Sequence, residues 1–230
     1  EMEPRIVTRD AWLAERRALL AEEKAFTRAR DALSARRRMQ PMVRIEKDYR
    51  FDTEAGEARL ADLFAGRRQL IIYHFMYGAD WQEGCPSCSF WADNFEGIGI
   101  HLSHRDTTLI AVSKAPLEKL LAYRARMGWS FPWASAGDSG FNEDFGVTFD
   151  GPGGEYNYSP RTANHYELPG ISVFLNHGGD VLHSYSAYSR GLDMLNGAYH
   201  YLDLTPLGRH EDGLPWPMAW LRRHDRYDAA

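Results

Sequence analysis

QLIIYHFMYGADWQEGCPSCSFWADNFEGI, residues 69–98, joins an apolar run to both cysteines of the chain. Leu70 through Tyr77 reads as a buried strand, and Gly78 to Gly84 as a short loop. Pro86, one residue past Cys85, suits the first position of a helix capped by Cys85 and running through Phe90, Trp91 and Phe95, with Gly97 and Gly99 threatening its far end. A strand, a loop and a helix that opens at a Cys-x-x-Cys pair form the arrangement in which a dithiol does redox chemistry.

Downstream, Thr107 to Val112 is a short β-rich run, and Ser113-Lys114-Ala115-Pro116 opens a helix through Leu117, Leu120, Leu121 and Tyr123 to Gly128. The two strands and the helix between them predict a right-handed βαβ unit with parallel strands. The block Trp129-Ser130-Phe131-Pro132-Trp133 reads as core packing before cleft lining. Residues 134–164 are loop-like, and their glycines form neither a phosphate loop nor a G-x-G-x-x-G turn, which argues against a nucleotide site. Leu168-Pro169-Gly170 then leads into Ile171–Leu175, a turn at 176–180 and Val181–Tyr185, a β-hairpin. A closing helix is expected over Arg190–Tyr201, and a tail rich in Pro, Gly and Trp beyond Thr205 is expected to wrap the surface.

Upstream, residues 9–37 read as one long helix with Trp12, Leu19, Phe26 and Leu33 spaced by seven. Such a stripe is expected to pack on the domain or on a partner subunit, which makes a homodimer through this helix an expectation. Arg44 to Phe51 alternates weakly as an edge strand, followed by a turn at Gly56 and a short helix over 58–64. The domain plan is thus a helical extension over 1–40, a single domain over 41–205 and a packed tail over 206–230.

With 230 residues the chain is long enough for one sizeable core. Its 27 basic and 32 acidic residues leave a net charge of −5, so no electropositive field invites nucleic acid. No run of about 18 apolar residues is available to span a bilayer. The opening Glu1-Met2-Glu3-Pro4-Arg5 lacks the apolar region of a signal peptide, and two cysteines three positions apart cannot staple distant parts of a secreted scaffold. A cytoplasmic location is expected, with no cofactor.

A thiolate, not a thiol, attacks a disulfide, and a helix N-terminus stabilises the negative charge. Cys85 is the expected nucleophile and Cys88, one turn along, the resolving thiol. Trp81, Gly84, Pro86, Leu168 and Pro169 are the expected substrate contacts. A cis bond before Pro169 would leave the Leu168 N–H and C=O free to pair with an extended substrate chain. The substrate is then a disulfide-bearing protein or a small thiol compound. Three rivals stand beside this reading. Cys85, Cys88, His101 and His104 approach the spacing of a zinc site, although a continuous helix from Pro86 would carry His101 roughly 20 Å from Cys88. A binding module with inert cysteines would show no thiol reactivity, and a thiol peroxidase would pass Cys85 through sulfenic acid. His74 reads as a core histidine before a proton carrier for Cys88.

The Gly84-Cys85-Pro86-Ser87-Cys88 helix start, the proline before a later strand, and the closing hairpin and helix resemble the thioredoxin superfamily. Residues 83–95, 126–133, 141–147 and 168–185 are similar to a bacterial thioredoxin-like family of unknown function, domain of unknown function 899, whose members are described as predicted dithiol-disulfide oxidoreductases. The resemblance implies an α/β thioredoxin-like fold: a central mixed sheet flanked by helices, here with an added N-terminal helix and an aromatic, glycine-rich insertion. It also implies that Cys85 and Cys88 are the redox pair and that Pro169 holds the cis-proline position. Ordinary thioredoxins have Gly-Pro between their cysteines and Trp directly before the first, whereas this chain has Pro86-Ser87 and Gly84, with Trp81 four residues upstream of Cys85.

Overall fold

The computed structural model describes residues 3–162 and 164–228. The chain divides into two compact units, Glu1–Pro41 and Met42–Ala230. The first is built on helix α1, Arg9–Arg38, whose N-terminus is capped by the Thr8 side chain accepting from the Ala11 N–H. Arg36, Arg37 and Arg38 place positive charge at its carbonyl end, where the helix dipole favours it.

The second unit starts with strand β1 (Val43–Arg44) and a hairpin of β2 (Arg50–Thr53) and β3 (Gly56–Arg59). The helix expected over 58–64 does not form. Gly56, at φ +106°, reverses the chain so that Ala58 pairs with Phe51, and only Asp62–Phe64 makes a 3-10 turn. Then come β4 (Gln69–His74), α2 (Pro86–Ala92), α3 (Ile98–Ser103), β5 (Thr107–Ser113), α4 (Leu117–Met127) and β6 (Trp133–Ser135). The helix expected to run through Phe95 stops at Ala92, and Gly97, at φ +79°, starts α3 as a separate element.

Next are α5 (Phe141–Asp144), the two-residue strands β7 (Glu155–Tyr156) and β8 (Ser159–Pro160), and the long hairpin β9 (Gly170–His177) and β10 (Asp180–Tyr188). The closing helix expected over 190–201 is two pieces: a 3-10 segment, Ser189–Leu195, and α6, Gly197–Leu202. Asn196, extended between them, caps the second piece by accepting from the Tyr199 N–H.

Eight strands of the described residues form one sheet in the order β1-β10-β9-β4-β5-β6-β2-β3. Strand β4 pairs parallel with β5 and antiparallel with β9, and β5 pairs parallel with β6. A mixed sheet with parallel βα units on one side of β4 and an antiparallel hairpin on the other is a thioredoxin-like fold. Among the described residues no helix is long and apolar enough to cross a membrane.

Both faces of β4 are buried, so its side chains alternate between two cores. Tyr73, with Phe75 just beyond the strand, joins Cys85, Cys88, Trp91, Trp129, Phe131 and Trp133 in one. Leu70 and Ile72 join Phe51, Phe64, Phe141, Phe145 and Phe174 in the other. The aromatic block 129–133 is therefore core, with the Trp133 indole N–H donating to Ser113 Oγ at 3.0 Å. Each large side chain so buried contributes on the order of 1.5–3 kcal/mol.

His74 lies 5.9 Å from Phe145, ring to ring, and starts a buried chain of hydrogen bonds. His74 Nε2 meets Ser172 Oγ at 2.7 Å, Ser172 meets Ser186 at 2.8 Å, and Ser186 meets His183 Nε2 at 2.8 Å. Burial, with His183 as a second cause, pushes the His74 imidazole down to about 3, so it is neutral. Sitting on the face opposite Tyr73, His74 is a core residue and is in no position to carry a proton for Cys88.

Gly170 opens β9 where the sheet leaves no room for a side chain. A Cβ there would stand 2.8 Å from Tyr188 Cδ1 and 3.3 Å from His74 Cδ2. Gly170→Ala is expected to lower stability by about 1–3 kcal/mol, read as a lower urea midpoint at unchanged slope.

Candidate active site

The loop leaving β4 returns to it at the cysteines. The Cys85 N–H donates to the Met76 carbonyl at 3.1 Å, and Cys85 becomes the N-cap of α2 with Pro86 in the first helical position. Gly84 passes between two buried rings: a Cβ would stand 2.7 Å from Tyr123 Cε1 and 2.8 Å from Phe75 Cε1. Its carbonyl is held from the far end of the chain, accepting from Arg223 Nη2 at 2.6 Å and Nε at 3.1 Å.

Arg223 is itself fixed by Glu83 at 3.0 Å and by the Tyr123 hydroxyl at 3.0 Å. Tyr123 meets Ser89 Oγ at 2.8 Å, and Ser89 donates to the Cys85 carbonyl at 2.8 Å. Arg126 joins Glu83 to Asp225 in the same network. Residues 223–225 of the tail thus clamp the loop that carries Cys85.

Both cysteines are thiols, and both are buried: Cys85 is 9% exposed and Cys88 1%. Deeper burial of Cys88 and the electrostatic interaction of the two sulfurs set their difference. Donation from Cys88 lowers the Cys85 thiol to about 7 against the opposing pull of burial, helped by the N–H groups of Cys88 and Ser87 and by the Arg223 charge. Cys88 is held up, first by burial and then by its bond to Cys85, although the Met76 N–H at 3.3 Å and the Tyr73 hydroxyl both favour its thiolate. Tyr73 stays a phenol, raised by burial and then by the neighbouring Cys88.

The two sulfur-bearing residues wall a cavity of about 640 Å³. Tyr73, Met76, Trp81 and Trp91 form the side nearest the sheet and α2. Tyr156 and residues 164–166 come from the insertion over 129–166, residues 167–169 from the approach to β9, Ser189, Arg190, Leu192 and Asp193 from the 3-10 segment, and Met218 from the tail. Glu167 lies here 7% exposed, accepting from Thr148 Oγ1 at 2.9 Å. Burial pushes its carboxyl up to about 7, against the effects of Thr148 and Lys114.

Among the residues expected to meet substrate, Trp81, Leu168 and Pro169 share this cavity with Cys85 and Cys88, whereas Gly84 and Pro86 do not line it. Gly84 shapes the loop, and Pro86 starts the helix with an exposed ring. The cis bond implied for Leu168–Pro169 is not formed: no described peptide bond is cis. The backbone on either side of this bond is held within the molecule. Leu168 N–H donates to the Val147 carbonyl at 2.8 Å, and Tyr156 Oη donates to the Pro169 carbonyl at 2.6 Å.

The zinc arrangement is not assembled. His101 and His104 are exposed on and just after α3, His104 being bonded to the Ile100 carbonyl, and no group of three or more metal-capable side chains occurs among the described residues. Sequence reasoning missed Tyr73, Met76, Glu167, Met218 and Arg223. Parity along β4 was the available signal for Tyr73, which shares a face with Phe75. Arg223 is 139 positions from Gly84 and had none.

Fold and site together define a thioredoxin-like protein with a buried pair of cysteines at the start of a helix. The chain belongs to the family described as bacterial protein of unknown function (DUF899), whose model matches residues 1–227. No curated protein matches it. Similar solved structures include peroxidoxin BcpB from Mycobacterium tuberculosis, at 14% identity and a TM-score of 0.47 over 69% of this chain and 94% of that one. Peroxiredoxin Q from Xanthomonas campestris is similar at 13% identity and a TM-score of 0.48, over 69% of this chain and 95% of that one.

Two measurements follow from the charges. Alkylation of Cys85 by iodoacetamide, mapped by mass, is expected to rise with a midpoint below the roughly 8.5 of a free thiol. Arg223→Gln is expected to move that midpoint upward, because a positive charge and the clamp on Gly84 are lost together.

Glu167 binds its proton more tightly folded than unfolded, so stability falls as pH rises from its ordinary 4.5 through about 7. Glu167→Gln removes that loss. Its stability relative to the parent chain is expected to improve by about 3 kcal/mol between pH 4 and pH 8 in urea unfolding.

Proposed function

We propose that the protein is a dithiol-disulfide oxidoreductase acting in a reducing compartment, the cytoplasm, with Cys85 as nucleophile and Cys88 as resolving thiol. The observation that carries this reading is the asymmetry of the pair: a cavity-lining thiol with its pKa lowered toward neutrality, beside a more deeply buried thiol with its pKa raised. Near neutral pH the Cys85 thiolate attacks one sulfur of a bound disulfide, and the S–S bond breaks to form a mixed disulfide.

The second step uses the coupling between the two sulfurs. Once Cys85 is covalently bonded it no longer carries charge, so the repulsion and the hydrogen bond that held up Cys88 both vanish. The Met76 N–H and the Tyr73 hydroxyl remain to stabilise its thiolate. Cys88 then attacks the Cys85 sulfur, its proton passing to the departing thiolate, and the Cys85–Cys88 disulfide forms. The chain ends oxidised by two electrons and the substrate reduced by two.

Equilibration with mixtures of reduced and oxidised glutathione, followed by mass analysis, is expected to show a reversible two-electron couple between Cys85 and Cys88. Cys88→Ser is expected to accumulate a mixed disulfide through Cys85. A chain whose thiols never oxidise reversibly would sink the oxidoreductase reading in favour of an inert binding module.

A further inference from the structure

The insertion decides what size of disulfide reaches Cys85. A protein disulfide carried on extended chain would be held here by strand addition, pairing with free backbone next to the dithiol. Here the Leu168 N–H and the Pro169 carbonyl are already paired within the molecule. Thr148 and Glu167 form an antiparallel bridge, flanked by the Phe149 N–H on the Tyr166 carbonyl at 2.9 Å and the Leu168 N–H on the Val147 carbonyl at 2.8 Å. The Pro169 carbonyl accepts from Tyr156 at 2.6 Å, and the same tyrosine oxygen accepts from the Ser189 N–H at 2.9 Å. Residues 147–149 therefore stand where an incoming strand would lie.

The remaining approach is the cavity of about 640 Å³, which falls within the roughly 300–1,000 Å³ of small-molecule sites. Its wall is mostly aromatic and aliphatic, with Trp81, Trp91, Tyr156, Leu168, Leu192 and Met218, and carries Asn164 and His165 at its polar part. Its charged side chains do not favour an anion. Arg190 is paired with Asp193 at 2.9 Å, and Glu167 adds negative charge when it ionises.

Building on the dithiol reading, we propose that the substrate is a low-molecular-weight organic disulfide with an uncharged, apolar or aromatic body, and that chain segment 147–149 excludes protein disulfides. In the reaction the Cys85 thiolate bonds to one substrate sulfur and expels the other as a thiolate. Cys88 then displaces the first. Two substrate thiols leave with the two protons of the protein dithiol, and an external dithiol, dithiothreitol in the assay, reduces the Cys85–Cys88 disulfide again.

The test compares oxidation of the reduced full chain by 4,4′-dithiodipyridine, insulin and cumene hydroperoxide. Each rate is divided by that of dithiothreitol with the same oxidant, so that intrinsic reactivity cancels. The dithiodipyridine ratio is expected to exceed the insulin ratio by at least about tenfold, the scale on which an apolar pocket discriminates. It should also exceed the hydroperoxide ratio. Leu168→Trp, which fills the cavity, is expected to lower the dithiodipyridine ratio, with the Cys85–Cys88 couple intact by glutathione titration.

An insulin ratio equal to or above the dithiodipyridine ratio overturns the exclusion of proteins. A hydroperoxide ratio above it overturns the disulfide class, and an unchanged ratio in Leu168→Trp overturns the cavity as the entrance. In each of those cases a reversible couple in the titration leaves the dithiol reading standing. Absence of the couple removes both.

Discussion

The strict alternation of side chains along β4 is the constraint on which the site depends. Because both faces of the strand are buried, Tyr73 goes to the core that contains the cysteines and His74 to the core that does not. A slip of one residue would put an imidazole beside the sulfurs and a phenol among Phe141 and Phe145. Pairing on both edges prevents it: Tyr73 lies opposite Ala111 of β5 and Ile171 of β9. The polar chemistry of the dithiol thus inherits its placement from apolar burial and from backbone pairing, neither of which involves sulfur.

The parts of the fold legible in the sequence are those whose signals are local. The β4 strand, the helix opening at Pro86, the strand at 107 and the hairpin across 176–180 each carry their own periodicity and turn residues, and all four form. The misread segments are short pieces in which tertiary pairing outweighs propensity. Residues 58–64 contain good helix formers, yet Gly56 folds Glu57 and Ala58 back onto β2. The stretch 190–201 reads as one helix, yet Asn196 is drawn into bonds with the Tyr199 N–H and Asn94 that require an extended backbone.

Half of the candidate site was legible for the same reason. Cys85, Cys88, Trp81, Leu168 and Pro169 lie in motifs that a linear reading can find. Glu167 and Tyr156 lie in a loop without periodicity, and their place on the cavity follows from pairing between 147–149 and 166–168 that no local pattern announces. The expectation of a free substrate-binding edge failed at this point. It rested on a cis bond before Pro169, whereas the bond is trans and the Leu168 N–H and Pro169 carbonyl have partners in the chain.

The clamp on Gly84 also has a consequence in time. Arg223 follows Gly84 by 139 positions, so during synthesis the cysteine loop leaves the ribosome on the order of ten seconds before the residue that fastens it. Until then the loop lacks its guanidinium, and Cys85 lacks one of the charges that favour its thiolate. The fastening of the cysteine loop is thus among the last contacts the growing chain can make.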